Sequence, residues 1–186
     1  MTNILSTTTL PLAAGTWTAD PSHTSVGFVV RHLGLSKVRG RFDGVTARLV
    51  VGGDLTSSSV SAEIEMATVK TGNADRDAHL ASSDFFNAEL NPTMTFVSTG
   101  IAGRGEEFTL TGDLTVNGIT KPVELDVEFF GTSELSMDQS TRAGFSATGS
   151  ISRKAFGIEF NVPLGGDKVL IADKVTLELD VQLIAP

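Results

Sequence analysis

A closed antiparallel barrel of eight strands with one short helical stretch is the fold the sequence predicts. Three observations carry it. Apolar and polar residues alternate with period two through eight long segments, only one stretch reads as helix, and one strand changes phase midway, as a bent strand must. With 186 residues, 40% of them hydrophobic, the chain suits one sizeable core and is short for two. Residues 15–186 therefore read as one all-β domain behind a flexible segment, residues 1–14.

The first strand, residues 24–33, sets Val26, Phe28, Val30 and His32 on one face. In the second, residues 37–53, Phe42 is even-numbered whereas Val45, Ala47, Leu49 and Val51 are odd. One extra residue near Asp43-Gly44, a β-bulge, restores a single inward face and bends the strand. In the third, Val60, Ala62, Ile64 and Met66 oppose Ser59, Ser61, Glu63 and Glu65. Residues 71–86, "TGNADRDAHLASSDFF", break the pattern. There Asn73 or Asp75 caps a short helix, Asp84 suits a further turn, and the helical segment lies around residues 74–86.

Alternation then resumes in residues 93–99, which carry Phe96, and in 108–116, with Phe108, Leu110, Leu114 and Val116 inward. Asn117-Gly118 suits a tight hairpin into residues 121–131, which hold Phe129. Residues 141–152, with Phe145, and 175–183 complete eight strands. A twisted sheet of this size hides its edges most economically by closing on itself. The inward set mixes six phenylalanines, Phe28, Phe42, Phe96, Phe108, Phe129 and Phe145, with Gly112, Ala62, Ala143 and Ala147. Large residues beside small ones either fill a core or leave a slot, and an eight-stranded barrel has room for one small ligand.

Several function classes are disfavoured. The net charge of −8 repels phosphate backbones, so nucleic acid is not an expected partner. Cysteine is absent, which removes disulfides, thiolate metal sites and a cysteine nucleophile. No apolar run is long enough for a membrane-spanning helix. Residues 1–14 hold no Lys or Arg and lack a secretory pattern, so a cytoplasmic location is expected. His23, His32 and His79 have no partners at metal-ligand spacing, and no cofactor motif is present. On a helix Asp75 and Asp77 do not share a face, which disfavours a two-carboxylate glycosidase. No Gly-X-Ser-X-Gly motif marks an activated serine. The alternative kept open is an enzyme acting on a small apolar or isoprenoid substrate with His32, His79 and a carboxylate.

Taken together, "GTWTADPSHTSVGFVVRH" (15–32), "GRFDG" (40–44), "DRDAHLASSDFF" (75–86), "NPTMTF" (91–96), "LTGDLTVNGITKPVEL" (110–125) and "ISRKAFGI" (151–158) resemble the polyisoprenoid-binding, lipocalin-like YceI family. The resemblance covers residues 15–186 and rests on the order and spacing of the pieces. It implies an elongated barrel, closed at one end, whose tunnel takes a long-chain isoprenoid lipid such as a polyprenyl diphosphate or an isoprenoid quinone, without catalysis. It also implies a homodimer and a role in transport or sequestration. Carried over by position, it puts Val26, Phe28, Val30, His32 and Phe42 on the tunnel wall. Phe85 and Phe86 then descend from a helical lid. Phe96, Phe108, Leu114, Phe129, Phe145 and Phe156 complete the tunnel set. Arg76, His79, Arg153 and Lys154 are candidates for the head group. A salt bridge from Arg76 to Asp75 or Asp77 is the competing reading for that residue, and a solvated turn for Arg153 and Lys154.

Overall fold

The computed structural model describes residues 9–134 and 137–186. Its strands are β1 (Gly15–Ala19), β2 (Ser25–His32), β3 (Ser36–Phe42), β4 (Val45–Val51), β5 (Ser59–Glu65) and β6 (Val69–Lys70). After the helix α1 (Ala74–Ala81) come β7 (Thr93–Arg104), β8 (Glu107–Val116), β9 (Ile119–Ser133), β10 (Arg142–Ser152) and β11 (Ile171–Ile184). All pairings between named strands are antiparallel. The order β1-β4-β5-β7-β8-β9-β10-β11 closes on itself because β1 also pairs with β11, which makes the predicted eight-stranded barrel.

The eight predicted strands omit Gly15–Ala19, yet this short strand closes the ring. It lies in line with β2 along the same edge of β11: Thr18 meets Ile184, and Ser25 meets Asp180. β3 continues from β2, and β6 from β3, so the sheet runs past the ring as a flap that ends at α1. The phase change predicted near Asp43-Gly44 is the break between β3 and β4. The Gly44 N–H donates to the Thr68 hydroxyl oxygen, and a Cβ on Gly44 would stand 2.9 Å from Glu65 Cβ. Only glycine allows this close approach.

Further bulges explain where alternation is hard to read. One between Ser98 and Gly100 turns Ile101 inward and lets β7 run to Arg104. The Asn117-Gly118 hairpin forms as predicted, with φ of 51° and 73° at its two central residues.

Trp17, 1% exposed, packs at the end of the barrel away from α1 with Leu10, Leu49, Val51, Leu55, Phe108, Phe129, Ala143 and Leu183. Its indole N–H donates to the Ala13 carbonyl at 2.9 Å. Leu10 therefore belongs to the core, while residues 1–8 of the expected flexible segment lie outside the described residues. Where β1 passes into β2, the buried Asp20 carboxylate accepts from His23 Nδ1 at 2.8 Å, from the Ser22 N–H at 2.9 Å, and from Arg142. The guanidinium of Arg142 reaches on to Asp138 at 2.7 Å.

Candidate functional site

Beyond the core around Trp17 the inward faces do not fill the barrel. They enclose two chambers, one of about 370 Å³ at the α1 end and one of about 210 Å³ toward Trp17. Met94, Ile151 and Leu177 line both and form the waist between them. The lower chamber exposes no polar surface to its interior. Glycines opposite aromatic rings set the shape of the wall. A Cβ on Gly40 would lie 2.3 Å from Phe28 Cζ, and one on Gly112 would lie 2.3 Å from Phe96 Cζ. Each ring lies over the gap that a side chain would occupy, an arrangement that also covers the weak glycine position of a strand.

The upper chamber is covered by α1 and the turns after it. Asn73 caps the helix by accepting from the Arg76 N–H at 2.9 Å, and Asp75 and Asp77 in the first turn suit its dipole. Arg76 and Asp77 then clamp Thr71 from both sides. Arg76 donates to the Thr71 hydroxyl at 2.7 Å and its carbonyl at 2.9 Å, while Asp77 accepts from the Thr71 N–H at 2.8 Å. This clamp takes the place of a bridge from Arg76 to Asp75 or Asp77. The helix stops at Ala81 rather than continuing toward Phe86, because Ser82 turns to extended backbone. Phe85 is then buried and Phe86 partly so, and both rings line the chamber. Phe28, Phe42 and Phe86 form a chain of tilted rings, with centroids 5.8 and 5.7 Å apart. Asn117 ties this cover to the barrel by donating to the Phe85 carbonyl at 2.9 Å.

Cations are concentrated at this end, the lower chamber having Arg48 as its one lining cation. Arg31, Arg76, His79 and Arg153 line the upper chamber. His79 Nε2 lies 2.8 Å from Asp84 Oδ2, and its ring packs edge-on against Phe85 and Phe160 at 5.0 and 4.9 Å. Arg153, 4% exposed, donates to four neutral carbonyls, those of Ile158, Phe160, Ala172 and Ile171. Burial pulls its pKa below the ordinary arginine value, and the nearby Asp173 opposes this. For Asp173 burial is the largest influence and acts upward. It is outweighed by bonds from the Ser152 hydroxyl and the Lys154 N–H and by the charges of Lys154 and Arg153, so the net direction is down. Among the described residues no group of three or more His, Asp or Glu is gathered where it could hold a metal ion.

A sequence profile described as the YceI-like domain matches residues 17–183. The chain belongs to the YceI-like family. A UPF0312 protein of Staphylococcus aureus (strain USA300) is 37% identical over 169 residues, which is 89% of this chain and 95% of that protein. The crystal structure of the YceI protein of Campylobacter jejuni is 29% identical with a TM-score of 0.70, over 84% of this chain and 90% of that one. A polyisoprenoid-binding domain from Saccharophagus degradans, described as implicated in plant cell wall breakdown, shares the fold. It has a TM-score of 0.63 at 14% identity, over 94% of this chain and all of that one.

Within this YceI-like barrel the candidate residues divide by chamber. Phe28, Val30, His32, Phe42, Phe85, Phe86 and Phe156 line the upper one. Val26, Phe96, Phe108, Leu114 and Phe145 line the lower one. Phe129 lies in the closed-end core against Phe145, centroids 5.0 Å apart, and lines neither chamber. Of the head-group candidates, Arg76, His79 and Arg153 reach the upper chamber and Lys154 reaches neither. Sequence reasoning missed Phe160, Leu170 and Ile171, which complete the upper wall beside Arg153. Phe160 and Leu170 lie outside the strands, where alternation carries no signal. The waist residue Met94 was also missed, although it shares the even phase of Phe96.

Proposed function

We propose that this protein binds, sequesters or carries a long-chain isoprenoid lipid in the barrel interior and does no chemistry on it. The carrying observation is the division of the interior: a lower chamber with no polar surface and one lining cation, Arg48, and an upper one lined by Arg31, Arg76, His79 and Arg153. Such a gradient suits a molecule with a long apolar tail and one polar head, seated tail down. The tail supplies the affinity. Burying a carbon contributes about 0.8 kcal/mol, so three isoprene units give roughly 12 kcal/mol before association costs of several kcal/mol. The head sets orientation. Arg153 is a buried cation bonded only to neutral carbonyls, with Arg76 and His79 nearby, which favours a polyprenyl diphosphate over an isoprenoid quinone. The Saccharophagus degradans domain of the same fold is a polyisoprenoid-binding domain, in keeping with this ligand class. The homodimer implied by the resemblance belongs to the same reading and is checked by sedimentation velocity.

Extraction of the purified protein with organic solvent, followed by mass spectrometry, tests the proposal. A co-purifying or added prenyl lipid recovered chemically unchanged is expected. A protein that is reproducibly free of lipid and takes up none from solution sinks the carrier reading. Turnover of the lipid, abolished in His79→Ala, favours the enzyme instead.

A further inference from the structure

Residues 21–42 contain four cations, Arg31, Lys37, Arg39 and Arg41, and no acidic residue, in a chain of net charge −8. Arg39 pairs with Glu178 at 3.2 Å and Arg41 with Asp43 at 2.9 Å. Arg31 and Lys37 stand directly opposite each other across β2 and β3, and neither has an ion-pair partner among the described residues. Like charges in that position weaken a strand pair, so folding alone gives no reason for them. The turn they flank carries two exposed leucines. Leu35 is 80% exposed, and Leu33 is held at φ 56°, a conformation unfavourable for leucine.

A second apolar tip lies against this one. Val162, Leu164 and Val169 are exposed around the Gly165-Gly166 turn. The Leu33 N–H donates to the Leu170 carbonyl at 2.9 Å, and the Leu170 N–H donates to the Val162 carbonyl at 3.1 Å. Asp167 and Lys168 offset each other there, so the positive charge comes from the first hairpin. The surface is continuous with the upper chamber, because Arg31, Leu170 and Ile171 line it as well.

We propose that these two tips form a docking surface for an anionic lipid bilayer, where the chamber receives or delivers its cargo. Unpaired cations beside protruding leucines match the headgroup charge and the shallow apolar layer of such a membrane. A protein partner would need a complementary acidic surface, whereas a bilayer is where a long-tailed lipid already resides. The purpose of the surface rests on the lipid-binding reading, but its existence is tested without it.

The test is co-sedimentation with phosphatidylcholine vesicles, with and without phosphatidylglycerol. The protein is expected to follow the anionic vesicles only, and to leave them at about 0.5 M salt, where the screening length is a few ångström. Leu35→Ser lowers the partition by about tenfold, and Lys37→Glu by at least about fivefold. Because Leu35 is exposed and lines neither chamber, Leu35→Ser keeps the parent melting temperature and prenyl-alcohol uptake in vesicle-free solution. Absence of vesicle binding in a protein that takes up prenyl alcohol overturns the docking surface alone. Vesicle binding without uptake leaves the surface standing and sinks the carrier reading. A dimer that dissociates in Leu35→Ser, with no vesicle binding by the parent, assigns the tips to a second copy of the chain and overturns the proposal.

Discussion

A few side chains decide the width of the interior. Gly40 and Gly112 accept the rings of Phe28 and Phe96, so Gly40→Ala or Gly112→Ala forces an aromatic ring off its seat. Each is expected to cost about 1–3 kcal/mol, read as a lowered melting temperature. The alternation showed large residues beside small ones, but not which glycine received which ring, because that depends on cross-strand register. Arg153 was legible only as half of a basic pair. Its burial follows from a loop folding back over β11, which no local pattern announces. Asp20 is expected to contribute to acid stability. The His23 hydrogen bond is the largest cause of its lowered pKa, burial opposes it, and the Ser22 N–H and Arg142 add to the lowering. A carboxyl with a folded pKa below its unfolded value, which lies near 4, stabilises fully above that value and loses the effect as pH falls through the folded pKa. Melting temperature should therefore fall steeply below about pH 4 in the parent, and from a lower starting point but less steeply in Asp20→Asn. Equal acid slopes in the two proteins would remove Asp20 from this role.

Among the elements, the strands were the most legible and the cover over the upper chamber the least. Period-two alternation located eight strands because each has one face in the apolar interior and one in water. It lost phase wherever a bulge intervened, and it passed over β1, whose five residues are too few to show a period. Closure by β1 depends on Trp17, and Trp17→Ala is expected to cost about 3–5 kcal/mol in denaturant unfolding. The helical stretch stood out by composition, and the place where it ends is set by Ser82 rather than by any helix breaker. Its attachment through Asn117 has a direct consequence. Asn117→Gly keeps the positive φ of the hairpin but deletes the bond to Phe85, a loss of about 0.5–1.5 kcal/mol. Amides of residues 82–91 should then exchange faster, and added lipid should protect residues 71–86 in the parent. Equal exchange with and without lipid argues against a lid.

For the molecule as a whole, composition and charge set out what was improbable, and the inward phenylalanines posed the choice between a filled core and a slot. Sequence could not decide it, since volume depends on barrel radius and on which rings tilt aside. The structure has the space, in two chambers with a waist at Met94, Ile151 and Leu177. If a tail threads that waist, Leu177→Trp should spare short prenyl chains and exclude long ones. The central claim, that the two chambers hold one extended apolar tail, is tested most directly by titrating the protein with prenyl alcohols of increasing length. Affinity is predicted to climb by up to roughly fourfold per carbon and level off once both chambers are filled. Affinity that is absent, or the same at every chain length, would contradict it.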